Sequence, residues 1–347
     1  MPSKKIAICA VQAPFMRGGA EILVETLYKE MTIRGFNVDL INIPFKWYPP
    51  SRVVTECILW RMIDLTEVNG EKIDIVISTK FPSTVVRHTD KRIWLVHQHR
   101  EVYDLFGSQS YGGFENTDEC RAIRDKIVEI DNKTITEAKR IYTISQTVSN
   151  RLKQFNNIDS VPLYPPPAKK GHFNHESYGD YVLYVGRLDA KKRIFMLIDA
   201  MRCVKTGVRC IIAGKGPQKD ILSKAVTDAG LDGKVRLTGY ISDEEVLKLY
   251  ANALAVYYAP DNEDYGFVTV EAFLSQKPVI TTVGSGGVLE FVRDGENGYI
   301  SNHDPVEIAD KIDRLFENKK LCETMGQNGC DQVKGISWDT VIEKLIT

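Results

Sequence analysis

Short apolar runs alternate with helix-patterned segments along this chain, and they do so in two separate series. The first series holds the strand candidates Ile6 to Val11, Val38 to Ile43, Ile73 to Ser78, Ile93 to His97 and Arg140 to Ser145. Several of these runs are apolar throughout, so both faces of such a strand need covering, and strand-helix-strand alternation is the pattern of parallel βαβ units. The fold class is therefore α/β, with doubly wound parallel sheets. Between Leu152 and Tyr181 the pattern breaks at Pro162, Pro165, Pro166 and Pro167, followed by Lys169 and Lys170. A second series then follows: Tyr181 to Gly186, Val208 to Ala213, Val235 to Gly239, Ala253 to Ala259 and Pro278 to Thr282. A chain of 347 residues is longer than a single core usually supports. The expected organisation is a first Rossmann-like domain over 1–165, a linker over 166–180 and a second Rossmann-like domain over 181–335. A last helix within 336–347 carries Trp338, Val341, Ile342, Leu345 and Ile346 at helical spacing, and it must bury that face, with the first domain the expected partner. Ligands of open α/β sheets bind beyond the carboxyl ends of the strands, so two such domains are expected to face a central cleft.

Composition removes several alternatives. Hydrophobic residues at 43% and charged residues at 26% describe a globular protein, and a net charge of -1 supplies no basic field for nucleic acid. The seven cysteines are scattered without a Cys-x-x-Cys pair, which argues against both a disulfide framework and a zinc site. The basic start at Met1 to Lys5 runs straight into a strand-like segment rather than a signal sequence, and no apolar run reaches membrane-spanning length. A cytoplasmic location is expected, with membrane contact peripheral at most.

The most informative segment runs from Glu263 to Glu271. It follows a strand candidate and leads into a helix, with a carboxylate on each side of the turn. Gly266 permits a sharp turn, and the backbone amides of Phe267 and Val268 then open a helix N-terminus, a favourable place for phosphate. Glu271, one turn further in, can accept hydrogen bonds from adjacent hydroxyls such as those of a ribose, and Glu263 can reach a sugar.

With that spacing the segment resembles the Glu-x7-Glu motif of glycosyltransferase family 4, whose retaining enzymes have a GT-B fold. Further blocks occur in the family's order. Gly186-Arg187-Leu188 followed by Lys192 is similar to the pair of cations that neutralise the donor diphosphate, in place of a metal ion. At Arg193 the family often has glycine. Gly214-Lys215-Gly216-Pro217 looks like the family's Gly-x-Gly-Pro, and Gly239-Tyr240-Ile241 like the loop that holds the base. Gly286 and Gly287 resemble donor-pocket glycines, while Asp294, Gly295 and Gly298 read as turn residues. In the first half, Gly18 and Gly19 resemble a glycine loop facing the donor phosphates and the acceptor. His97, in His97-Gln98-His99-Arg100, is similar to the family's active-site histidine. Ile144-Ser145 followed by Val148 and Leu152 resembles the family's last strand and helix of this domain, with Ser145 as a helix N-cap the alternative.

The resemblance implies a retaining hexosyltransferase with Glu263, Arg187, Lys192 and His97 as catalytic residues. Glu271, Gly266, Phe267, Val268, Gly18, Gly19, Gly214, Tyr240 and Ile241 would bind substrate. It implies no cofactor and no metal, a UDP- or GDP-sugar donor, and a glycan or lipid-linked sugar acceptor of cell-surface polysaccharide or lipopolysaccharide assembly. A nucleotide-sugar epimerase, a sugar phosphorylase or a noncatalytic binding module on the same fold are the alternatives. A dehydrogenase is disfavoured, because no Gly-x-Gly-x-x-Gly opens a helix after the first strand.

Overall fold

A computed structural model describes residues 4–108 and 113–347, and the chain divides into two compact units, 1–168 with 337–347, and 169–336. The first residues of the basic start at Met1 to Lys5 lie outside the described residues.

In the N-terminal unit, β1 (Lys5–Gln12), α1 (Gly19–Ile33), β2 (Asn37–Pro44) and α2 (Pro50–Met62) are followed by a small hairpin, β3 (Glu67–Val68) with β4 (Glu71–Lys72). Then come β5 (Ile75–Ser78), β6 (Lys91–Leu95), α3 (Asp118–Ile135), β7 (Arg140–Thr143), α4 (Gln146–Asn156) and β8 (Val161–Pro162). The six long-sheet strands are all parallel, in the order β2-β1-β5-β6-β7-β8. Thr117 and Ser145 cap α3 and α4 through their hydroxyls.

Several strand boundaries differ from the sequence reading. The third long-sheet strand starts at Ile75 rather than Ile73, and β6 spans 91–95 rather than 93–97. Lys91 opens β6 although it is charged, because its buried Nζ donates to the carbonyls of Thr84 (3.1 Å) and Thr134 (2.6 Å). β8 falls inside the stretch read as irregular; proline is compatible with its place at the sheet edge, since an edge strand can spare a donor. The final helix α11 (Trp338–Ile346) buries Trp338, Val341, Ile342 and Leu345 in this unit, with Trp338 edge-on to Trp94 at 6.2 Å and the Leu345 carbonyl accepting from Arg92 at 2.8 Å.

The C-terminal unit runs β9 (Tyr181–Val185), α5 (Ile194–Cys203), β10 (Arg209–Ala213), α6 (Lys219–Asp228), β11 (Val235–Gly239), α7 (Asp243–Asn252) and β12 (Ala255–Tyr257). It continues with α8 (Phe267–Leu274), β13 (Val279–Thr282), β14 (Gly298–Ser301), α9 (Pro305–Glu317) and α10 (Lys319–Val333). Its strands are parallel in the order β11-β10-β9-β12-β13-β14. Gly298 opens β14 rather than serving as a turn residue alone: a Cβ there would lie 2.1 Å from the Val279 carbonyl of the neighbouring strand. Asp294 and Gly295 do turn the chain, with Gly295 at φ +75°. Residues 169–180 are packed on this unit rather than free: Glu176 N–H donates to the Ala251 carbonyl at 2.9 Å, and Tyr178 to the Gln276 carbonyl at 2.8 Å.

Strand order reverses between β9 and β12, so the loops leaving their carboxyl ends become neighbours, the place where open sheets of this kind hold ligands. Glycines seat the first of these loops. Gly186 donates to the Ala213 carbonyl at 3.0 Å and Gly214 to the Gly239 carbonyl at 2.9 Å, and a Cβ on Gly214 would stand 1.8 Å from the Gly186 oxygen. Gly216 lies equally tight on Leu188. Gly214→Ala is therefore expected to destabilise the protein by more than about 2 kcal/mol, since the clash is backbone against backbone; denaturant unfolding measures it.

Candidate active site

The loop after β9 ends in a short 3-10 turn, Ala190–Lys192, which directs Lys192 inward with its side chain 17% exposed. Lys192 Nζ donates to Glu263 Oε2 at 2.5 Å and to the Tyr258 hydroxyl at 3.1 Å, and that hydroxyl also hydrogen-bonds Glu263. Burial alone would lower the ammonium pKa, but the Glu263 carboxylate overrides it and the net shift is upward, so Lys192 stays cationic at neutral pH. Burial, followed by the same carboxylate, pushes Tyr258 well above the ordinary phenol range, which keeps it a neutral hydroxyl.

The backbone of Glu263 is clamped by Gly286 and Gly287. Gly287 N–H donates to the Glu263 carbonyl at 2.8 Å, and a Cβ on Gly286, at φ +62°, would lie 2.4 Å from that oxygen. These glycines thus position the carboxylate. Asp261 N–H donates to the Lys191 carbonyl at 2.7 Å and the Asp261 side chain pairs with Arg193. Arg193 itself sits at φ +50°, a conformation that favours glycine, so the backbone shape expected of a glycine is present without one.

Gly266, at φ +88°, caps α8, and a Cβ there would meet Val288 Cγ2 at 2.8 Å. The amides of Phe267 and Val268 open the first turn of the helix, where no intrahelical acceptor exists for them. One turn on, half-buried Glu271 accepts from the Tyr250 hydroxyl at 2.8 Å. Burial raises its pKa, while the Tyr250 hydrogen bond acts against the rise.

Other expected residues have different partners. Arg187 is 59% exposed on its side chain and directed to Asp189, with Nε 3.6 Å from Oδ2. Tyr240 is 70% exposed, its ring beneath Lys215 Nζ at 4.6 Å, and Ile241 follows it half-buried before the Ser242–Glu245 capping box of α7. Gly214 seats the Arg187 loop.

In the N-terminal unit, Gly18 precedes α1 at φ -135°, which needs no glycine. Its N–H donates to the Glu21 carboxylate at 2.9 Å, and Glu21 pairs with Lys80 at 2.7 Å. Gly18 and Gly19, expected to face the donor phosphates, thus stand at a first turn of α1 that holds the Glu21 carboxylate. His97 lies two residues beyond β6 at the carboxyl edge of the sheet, half-buried, with Nδ1 2.7 Å from the Gln98 carbonyl. His99 is a packing residue, stacked on Phe81 at 5.4 Å and edge-on to Phe114. Arg100 pairs with Asp104 at 2.5 Å. Ser145 is the N-cap of α4, its Oγ accepting from Val148 N–H at 3.0 Å.

Tyr258 and Tyr250, which hold the two glutamates, were missed in the sequence. For Tyr258 the available signal was a tyrosine at the end of an otherwise apolar run, since a buried hydroxyl requires a partner; Tyr250, inside α7, carried no such signal.

Residues 168–332 match the family model of glycosyl transferases group 1. The chain is 27% identical over 258 residues to poly(ribitol-phosphate) alpha-N-acetylglucosaminyltransferase of Staphylococcus aureus, covering 72% of this chain and 50% of that protein. It is 27% identical over 208 residues to human alpha-1,3/1,6-mannosyltransferase ALG2, covering 52% and 50%. It is 23% identical over 340 residues to D-inositol 3-phosphate glycosyltransferase of Corynebacterium efficiens, covering 89% and 80%. The chain thus spans about half the length of the first two. Among solved structures, Anabaena HepE in complex with UDP and glucose superposes with a TM-score of 0.71 at 18% identity, covering 98% of each chain. Sucrose-phosphate synthase from Thermosynechococcus elongatus superposes with a TM-score of 0.75 at 18% identity, covering 98% and 97%.

Two predictions follow from the geometry. Tyr258→Phe removes the hydroxyl shared by Lys192 and Glu263 and is expected to cost about 1–2 kcal/mol of stability in denaturant unfolding. Burial, then the nearby His97, lowers the His99 pKa to about 3. The unfolded chain protonates His99 near pH 6.5 while the folded chain refuses the proton down to about 3, so stability falls as pH drops through that window. His99→Gln should flatten the fall by on the order of 3 kcal/mol, read from unfolding free energies at pH 7 and pH 4.

The chain has a GT-B fold, and its C-terminal unit matches the glycosyl transferases group 1 model almost from end to end.

Proposed function

We propose that this chain is a glycosyltransferase of family 4 that moves a hexose from a UDP- or GDP-sugar to a glycan or lipid-linked sugar, retaining the anomeric configuration and using no metal ion. The observation that carries the reading is the Lys192–Glu263–Tyr258 group beside the N-terminus of α8, at the strand-order reversal of the C-terminal sheet. A cation, a carboxylate and unpaired amide donors in one place suit a ligand with a diphosphate and sugar hydroxyls.

In this reading Lys192 and the exposed side chain of Arg187 neutralise the diphosphate as it leaves, the Phe267 and Val268 amides at Gly266 hold phosphate oxygen, and Glu271 takes the ribose hydroxyls. Glu263 orients the sugar through its hydroxyls, Gly214, Tyr240 and Ile241 border the base, and His97 contacts the reacting sugar. A donor phosphate oxygen takes the proton of the acceptor hydroxyl, on the face from which the diphosphate departs. The protein's share is positioning and charge neutralisation.

Relatives named for alpha-linked transfer support retention from an alpha-linked donor, and the UDP in the HepE complex favours uridine. We place the reaction in cell-surface polysaccharide or lipopolysaccharide assembly on the cytoplasmic side, with peripheral membrane contact at most. Among the described residues no helix is long and apolar enough to cross a membrane.

The test is thermal stabilisation by UDP, GDP, ADP and TDP and their sugars with EDTA present. One nucleotide at a hundred times its Kd should add about 3 kcal/mol; no response to any would sink the donor site. With the responding sugar nucleotide, Glu263→Gln is expected to lower transfer about a hundredfold or more, and wild-type turnover in that variant would remove Glu263 from the reaction.

A further inference from the structure

Three links join the loop after β9 to the loop after β12. The Lys191 carbonyl takes the Asp261 N–H at 2.7 Å, Lys192 pairs with Glu263, and the Arg193 guanidinium pairs with the Asp261 carboxylate. The loop after β12 is also fastened on its other flank, where Asn262 N–H donates to the Gly284 carbonyl at 2.9 Å and Gly287 N–H to the Glu263 carbonyl at 2.8 Å. Glu263 therefore moves with the segment after β13. What ties that assembly back to Lys192 is the Lys191 carbonyl and the side chain of Arg193.

Arg193 reaches further than Asp261. Its Nη1 lies 3.0 Å from Nε2 of His303, in the connection between β14 and α9, so one planar fork spans the loops that follow three strands. The same Nε2 is 2.8 Å from the Val283 carbonyl. A guanidinium N–H only donates and a carbonyl only accepts, so Nε2 serves one of them at a time, and Asp261 is the constant arm of the fork.

Stability alone does not account for this arrangement. Arg193 holds φ +50°, where a side chain is strained and glycine is not, and its pair with Asp261 is part-exposed on both sides, at 21% and 35%, which returns little. We propose that Arg193 is a positioning residue of the transferase read above, on which the inference rests: by holding Asp261 it fixes the separation of the Lys192 loop from Glu263, two residues further on. A cation for the leaving diphosphate and a carboxylate for the sugar hydroxyls are useful only at a set spacing, and small misplacements of such groups slow a reaction steeply.

The test uses the full chain and the sugar nucleotide that stabilises it. Arg193→Gly removes the fork while leaving a residue that accepts the backbone conformation, and Asp261→Asn removes the charge the fork holds. Arg193→Gly is expected to lower kcat about tenfold, with the donor KM within about twofold of wild type and the unfolding midpoint of the free chain unchanged or raised. Asp261→Asn should slow turnover in the same way, and the double variant should be no slower than the slower single one, because the two side chains act as one unit. The proposal is overturned if Arg193→Gly turns over like wild type, if its loss of rate is accompanied by a lowered unfolding midpoint, or if the two losses multiply in the double variant. Failure of the transferase reading shows separately, as a wild-type chain that no nucleoside diphosphate or its sugar stabilises.

Discussion

The ion pair between Lys192 and Glu263 depends on strand order before it depends on either side chain. The residues are 71 positions apart in the chain, and they meet because β9 and β12 are adjacent and parallel, so that both strands release their following loops at the same edge. Three backbone devices then hold the loops in register: the contact of Gly186 with Gly214, the docking of Gly286 and Gly287 on Glu263, and the left-handed turn at Arg193. The first two work because backbone approaches backbone more closely than a Cβ permits. Removing one partner of the pair would leave a half-buried charge without compensation, a cost that falls on fold and site together.

Neutral hydroxyls complete the electrostatics. Tyr258 bridges the cation and the carboxylate, and Tyr250 serves Glu271 in the same way. Both tyrosines are buried in the unit, one just beyond β12 and one in α7, and each hydrogen-bonds its carboxylate through the phenol hydroxyl. The N-terminal unit follows another principle. Its carboxyl edge holds an internal ion pair, Glu21 with Lys80, and an aromatic array, so that edge is close to electrically neutral.

Much of this was legible in the amino-acid sequence. The alternation of apolar runs and helical patterns determines two parallel sheets, because a strand without a polar face must be covered on both sides. The spacing of Glu263, Gly266 and Glu271 determines a turn into a helix with a carboxylate at each end, since the i to i+3 and i+4 periodicity is local. Where the reading slipped, distant contacts had overridden local preference. Lys91 enters a strand because carbonyls from α3 and the turn at Thr84 solvate its ammonium, and Gly298 is a strand residue because Val279 leaves no room for a Cβ.

Side-chain pairing lay beyond the sequence. Lys191, Lys192 and Arg193 are three consecutive cations, and only the tertiary structure assigns Lys192 to Glu263 and Arg193 to Asp261 while leaving the Lys191 carbonyl to hold the Asp261 amide. His97 and His99 are likewise indistinguishable by type, yet one is half-buried at the sheet edge and the other is sealed among aromatic rings. The sequence by itself determined the α/β class and the turn chemistry, which arise from interactions a few residues apart. Tertiary structure alone decided which charges are paired and which rings are exposed, because those depend on loops brought together by a strand order that no local signal encodes.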